Sequence, residues 1–239
     1  MSTPLGYELR FWPEFARLLA EVRFWTPEHG EPRRPVLLIP GFLAGDASLT
    51  VLAGWLRRRG HEVRHSGIRL NVGCAGRELD RLGTVLEAFD EPAIVIGQSR
   101  GGTLARALAA RHPDEIAAMM TLGSPVLDQL AVSPSVLRTV RSVALLGDLG
   151  VRGLLTNECR DGACCSEFRT LLAQPLGPEP PWVAVYSRSD AIVDWRACLD
   201  PAADCVEVDG SHCGMAVNVQ VYRELERLLE RSEEITCSR

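Results

Sequence analysis

The sequence predicts an α/β protein: a doubly wound, mostly parallel sheet flanked by helices, with a cap or lid inserted into it. Short apolar runs at 35–39, 94–96, 116–122 and 182–186 are separated by helix-forming stretches or glycine- and proline-containing breaks. Strands that alternate with helices pair in parallel, because a parallel neighbour is reached only through a crossover. The run Pro35-Val36-Leu37-Leu38-Ile39 is apolar throughout, which suits a strand covered on both faces.

Along the chain, Phe11, Trp12, Phe15, Leu18, Leu19 and Val22 recur at three and four residues and predict an amphipathic helix within residues 1–25. Pro13 suits its first turn. Phe24 falls off the stripe and leaves a homodimer contact open. Prolines 32 and 35 mark a turn before the first strand, which Pro40-Gly41 ends. Asp46 and Ser48 are candidate caps for a helix that runs to Arg59 and stops at Gly60. The Arg57-Arg58-Arg59 cluster reads as favourable charge at that helix's carboxyl end rather than as a phosphate patch. A strand follows at 61–65, a glycine-containing loop at 71–76, an amphipathic helix at 77–89, and strands at 94–96 and 116–122. Residues 126–180 break the alternation and are expected to form the cap. Strands at 182–186 and 204–208 and a helix at 217–229 complete the pattern.

The 239 residues carry no linker-like composition break, so one domain spanning 1–239 is expected. With 46% hydrophobic and 24% charged residues there is ample material for a core. A net charge of −5 disfavours nucleic acid as a partner. No run approaches the roughly 18 apolar residues of a membrane span. Glu8, Glu14 and Glu21 interrupt the first 25 residues, so no leader is expected and the protein reads as cytoplasmic. Eight cysteines are many for a reducing compartment. Cys159, Cys164 and Cys165 share one loop, and Cys198 and Cys205 flank a turn. Either group closes a small disulfide or stays as buried thiols, and at least one disulfide is expected. A metal site joining these cysteines to His212 is the less favoured reading, so neither metal nor cofactor is expected.

Gly97-Gln98-Ser99-Arg100-Gly101 has the G-x-S-x-G form of a nucleophile elbow, with a strand before it and a helix after it. Such a serine takes unusual backbone angles, and glycines at 97, 101 and 102 let strand and helix approach. A serine hydroxyl needs a base. Of five histidines, His29, His61, His65 and His112 lie in turns, beside an early strand or at a helix end. His212 follows the last strand in a flexible loop, where an imidazole can reach Ser99. Asp190, soon after the strand at 182–186, is preferred over Asp194 as the carboxylate that orients the imidazole. The N–H groups of Arg100 and Phe42 are the candidate oxyanion donors, Gly41 allowing the turn.

These segments, with Ile96-Gly97-Gln98-Ser99-Arg100-Gly101-Gly102 and Ser211-His212-Cys213-Gly214-Met215, resemble the α/β-hydrolase superfamily and are similar to its compact lipase and esterase branch. The resemblance spans most of residues 35–229 and leaves out the first helix and the cap. It implies a serine hydrolase acting on a small-molecule ester through an acyl-enzyme at Ser99, with Asp190 and His212 completing the triad. Thioester release, acyl transfer or cyclisation, and a non-catalytic binding role, are the alternatives. Pro40 stands where such proteins often have histidine, and Gln98 where histidine or tyrosine is common. The leucine-, valine- and proline-rich cap favours an apolar substrate.

Overall fold

The structure, a computed structural model, describes residues 3–26 and 33–237. Its elements run α1 (Phe11–Ala20), β1 (Arg33–Ile39), α2 (Thr50–Arg58), β2 (His61–His65), α3 (Ala75–Glu87), β3 (Ala93–Gln98), α4 (Arg100–Arg111), β4 (Ile116–Leu122), α5 (Pro134–Asp148), α6 (Glu158–Asp161), α7 (Ser166–Ala173), β5 (Trp182–Tyr186), β6 (Asp204–Glu207) and α8 (Val219–Cys237). The strands form one sheet in the order β2-β1-β3-β4-β5-β6, with every neighbouring pair parallel. β3 is buried throughout, as a strand covered on both faces must be.

Successive side chains of β1 alternate between two cores. Leu38 joins Leu56, Tyr222 and Leu225 on the face covered by α1, α2 and α8. Leu37 joins Leu82, Leu104 and Phe168 on the face covered by α3, α4 and α7. The chain leaves β1 towards β2 and returns to β3 on the other side. The carboxyl ends of β1 and β3 therefore flank a switch point, where ligands bind in open parallel sheets.

Several local readings need correction. Only part of the first stripe packs: Leu18 is buried and Phe11 and Phe15 lie against the core, whereas Trp12 (67% exposed), Leu19 and Val22 face outward. α1 ends at Ala20 and the backbone leaves the helical region at Glu21, so Val22 is not on the same face. Asp46 caps no helix. Its carboxylate accepts from the Ser66 N–H and hydroxyl and from the Gly67 N–H, which pins the loop after β2. The Ser48 hydroxyl donates to the Gly45 carbonyl instead of capping. In the arginine cluster, Arg59 is buried over the Trp55 ring and paired with Glu226 of α8 at 2.8 Å, a tertiary tie as well as a helix-end charge.

Within 126–180, α7 packs on α3 and α4 and belongs to the layer that covers the sheet. Its Phe168 and Leu172 are core residues, which a reading of the whole segment as cap did not anticipate. No disulfide joins any of the seven cysteines whose side chains are described. Cys198 is enclosed under the turn before β6, whereas Cys205 is exposed and donates to the Asp200 carbonyl. The Phe24 side chain, His29 and Pro32 lie outside the described residues, and with them the proposed dimer contact and part of the turn. Among the described residues no helix is long and apolar enough to cross a membrane.

Arg106 and Asp200 form a buried pair at 2.9 Å, and the guanidinium also donates to the Leu171 and Gln174 carbonyls at the carboxyl end of α7. Removing one partner strands a charge in the interior, at a cost of about 3–5 kcal/mol. Asp200→Ala is expected to lower the urea midpoint accordingly, whereas Asp194→Ala, which loses only a half-buried turn cap, lowers it less.

Candidate functional site

β3 ends at Gln98 and α4 begins at Arg100, so the chain reverses within one residue. Ser99 occupies that corner at φ 52°, ψ −122°, one of two described non-glycine residues with positive φ. Its N–H donates to the Leu122 carbonyl at 2.8 Å, which ties the corner to β4. A Cβ on Gly101 would lie 2.2 Å from the Ile39 carbonyl oxygen, and one on Gly97 would lie 2.4 Å from that of Gly101. Glycine at these positions lets α4 start against β1 and β3.

Asp190 and His212 come together from the loops after β5 and β6. One Asp190 oxygen, Oδ1, accepts from the Ile192 and Val193 N–H groups at 2.8 and 2.7 Å. The other, Oδ2, meets His212 Nδ1 at 2.6 Å, with both side chains buried. This contact leaves Nε2 as the nitrogen available to a ligand. Burial alone would push the imidazole pKa down. The Asp190 charge and hydrogen bond, with a contribution from Glu8, outweigh burial and raise it above its ordinary value.

Ser99, His212, Phe42 and Arg100 line one pocket of about 1030 Å³ whose other walls come largely from α5 and its flanks. No hydrogen bond joins Ser99 to His212. Such bonds commonly close only when substrate fills the site. Asp194 lies apart, its carboxylate accepting from the Arg196 N–H at 3.1 Å. His61 contacts the Arg34 carbonyl, His65 the Arg57 guanidinium and His112 the Glu115 carboxylate, and none of them lines the pocket.

A family model described as the α/β hydrolase fold matches residues 79–153. No curated protein sequence matches the chain. Among solved structures, mouse α/β-hydrolase domain-containing protein 10 is 16% identical, with a TM-score of 0.61 covering 86% of this chain and 92% of that one. A monoacylglycerol lipase from Paleococcus ferrophilus is 14% identical, with a TM-score of 0.56 and coverage of 84% and 96%. A carboxylesterase from Bacillus subtilis is 12% identical, with a TM-score of 0.53 and coverage of 94% and 99%. The chain has the α/β-hydrolase fold.

Around this hydrolase fold the structure adds residues that sequence reading missed. Glu8 accepts from the N–H groups of Ala191, His212 and Cys213, at 3.3, 3.2 and 2.8 Å. Glu14 accepts from the N–H and hydroxyl of Ser211 at 2.9 and 2.8 Å. Two carboxylates from the first residues of the chain thus hold the histidine loop. Gln98 donates to the His212 carbonyl at 3.2 Å, so the residue that departs from the superfamily pattern supports the same loop. Buried Asn71 donates to the Pro40 carbonyl at 2.7 Å, and its backbone bonds to Leu43 and Ala44 fix the turn that carries Phe42. The Arg100 guanidinium donates to Asn71 Oδ1 and the Gly73 carbonyl, bracing that turn from the other side. The one described group of metal-ligand side chains borders the pocket rather than the Asp190–His212 pair. It comprises Cys74, Cys159, Cys164 and Cys165.

The His212 imidazole is expected to titrate above the ordinary value of about 6.5 by NMR. Glu8→Gln removes a charge that favours the cation, so the midpoint should move down. An unchanged or higher midpoint in the variant would contradict this account.

Proposed function

We propose that this protein is a serine hydrolase that cleaves carboxylic esters of apolar substrates. The observation that carries the reading is the buried Asp190–His212 pair, which faces the same pocket as the strained Ser99 corner. In the proposed cycle, His212 Nε2 takes the Ser99 proton as Oγ attacks the ester carbonyl, and Asp190 steadies the imidazolium. The oxyanion is received by the N–H of Phe42 and by that of Arg100. The latter opens α4 and so has no intrahelical acceptor. His212 returns the proton to the leaving alcohol, and water, activated by the same imidazole, releases the acid from Ser99.

The apolar preference rests on the walls of the pocket, which include Phe42, Leu130, Val136, Leu137 and Val140. Leu43, Leu127 and Leu130 are about half exposed beside it, as an opening for an apolar chain requires. Two structural relatives named as a monoacylglycerol lipase and a carboxylesterase agree with this reading, which rests on the site itself. A cytoplasmic location is part of the proposal, supported by the free thiols.

A fluorophosphonate probe is expected to label Ser99, and Ser99→Ala or His212→Ala to lower ester turnover on the order of 10⁴–10⁶-fold. Labelling that survives in the alanine variant would place the nucleophile elsewhere. Asp190→Asn should cost on the order of 10⁴-fold and Asp194→Asn only a few-fold; the reverse order would move the acid. A matched panel of esters and thioesters reads the acyl donor: a thioester preference would replace ester hydrolysis by thioester chemistry at the same serine.

A further inference from the structure

The geometry points to a tetrathiolate zinc site formed by Cys74, Cys159, Cys164 and Cys165, which fastens the segment over the pocket to the helical layer beneath it. Cys74 precedes α3, Cys159 lies in α6, and Cys164 and Cys165 end the turn before α7. Three stretches separated by up to 91 positions thus deliver four sulfur atoms to one place. All four lie within 4.8 Å of one another. The edges Cys74–Cys165, Cys159–Cys164 and Cys164–Cys165 measure 3.3, 3.7 and 3.9 Å. A Zn–S bond of about 2.3 Å in a tetrahedron requires sulfur–sulfur edges of about 3.8 Å. Four soft sulfur ligands with no carboxylate among them select zinc over magnesium or calcium.

Backbone N–H groups lie at two of the four sulfurs. The Thr156 N–H approaches Cys159 Sγ at 3.4 Å, and Cys74 occupies the N-cap position of the 13-residue α3. The Arg100 guanidinium lies within electrostatic reach of Cys165, Cys74 and Cys159. Binding one Zn²⁺ releases the four thiol protons to solvent and leaves a site of net charge −2, which Arg100 partly offsets. Close approach of the backbone is built in as well. A Cβ on Gly76 would lie 2.4 Å from the Cys164 carbonyl oxygen, so only glycine admits the turn there. A cleft of about 290 Å³, lined by Cys74, Cys159 and Cys164 with Arg77 and Asp80, gives the ion a way in from the surface.

The site is independent of the proposed reaction, and its test reads metal rather than turnover. The full-length chain, expressed with zinc, desalted and kept in a non-chelating reductant, is expected to hold about one zinc per chain by elemental analysis. A mercurial titration of its thiols should release that zinc to a colorimetric chelator. Reconstituted with Co²⁺, the wild-type chain should show the intense visible bands of tetrahedral cobalt with thiolate charge transfer. Cys159→Ser and Cys164→Ser are expected to retain less than about a tenth of the zinc, and Cys205→Ser all of it. Should the serine variants fail to fold, the cobalt spectrum of the wild type still decides. A chain without zinc whose Co²⁺ form lacks these bands would overturn the site. So would a native mass lower by the hydrogens lost in disulfides Cys74–Cys165 and Cys159–Cys164.

Discussion

Ser99 is held in a backbone conformation that a side-chain-bearing residue avoids, and the site is arranged around that one corner. A positive φ outside glycine costs on the order of 1–3 kcal/mol and persists only where the surroundings impose it. Here they do: the Ser99 N–H is committed to β4, and α4 is wedged against the end of β1. The gain is directional. The hydroxyl stands at the switch point of the sheet, on the wall of a pocket that the loops after β1, β5 and β6 also line.

Those loops are not left to their own preferences. The turn bearing Phe42 is tied to Asn71, Asn71 to Arg100, and Arg100 to the Gly73 carbonyl one residue before Cys74. A continuous run of polar contacts therefore connects the first helical turn after the serine with the cluster of four thiols. On the opposite side, the histidine loop is gripped by Glu8, Glu14 and Gln98. The negative charge of Asp190 and Glu8 favours the cationic imidazole, against the effect of its burial.

The sheet was legible because its strands announce themselves locally. The runs at 116–122 and 182–186 coincide with β4 and β5, since a largely apolar stretch bounded by breakers has few other uses. The strand-turn-helix around Ser99 and the loop positions of Asp190 and His212 are likewise local patterns. What stayed hidden was pairing across the chain. Nothing near Glu8 or Glu14 marks them as partners of residues about two hundred positions away, and nothing near Cys74 points to Cys164. The same blindness placed α7 in the cap: its periodicity shows an apolar face but not which surface that face meets. Trp12 and Leu19 show the converse, apolar residues at helical spacing that the fold leaves uncovered.

The grip of Glu8 and Glu14 on residues 211–213 also orders events in time. A growing polypeptide displays both glutamates before the imidazole, with the serine, the sheet and the four clustered thiols made in between. His212 can settle beside Asp190 only after the loop that follows β6 has emerged and met Glu8 and Glu14. A nascent chain stalled between residues 99 and 212 therefore holds Ser99 without the imidazole that shares its pocket.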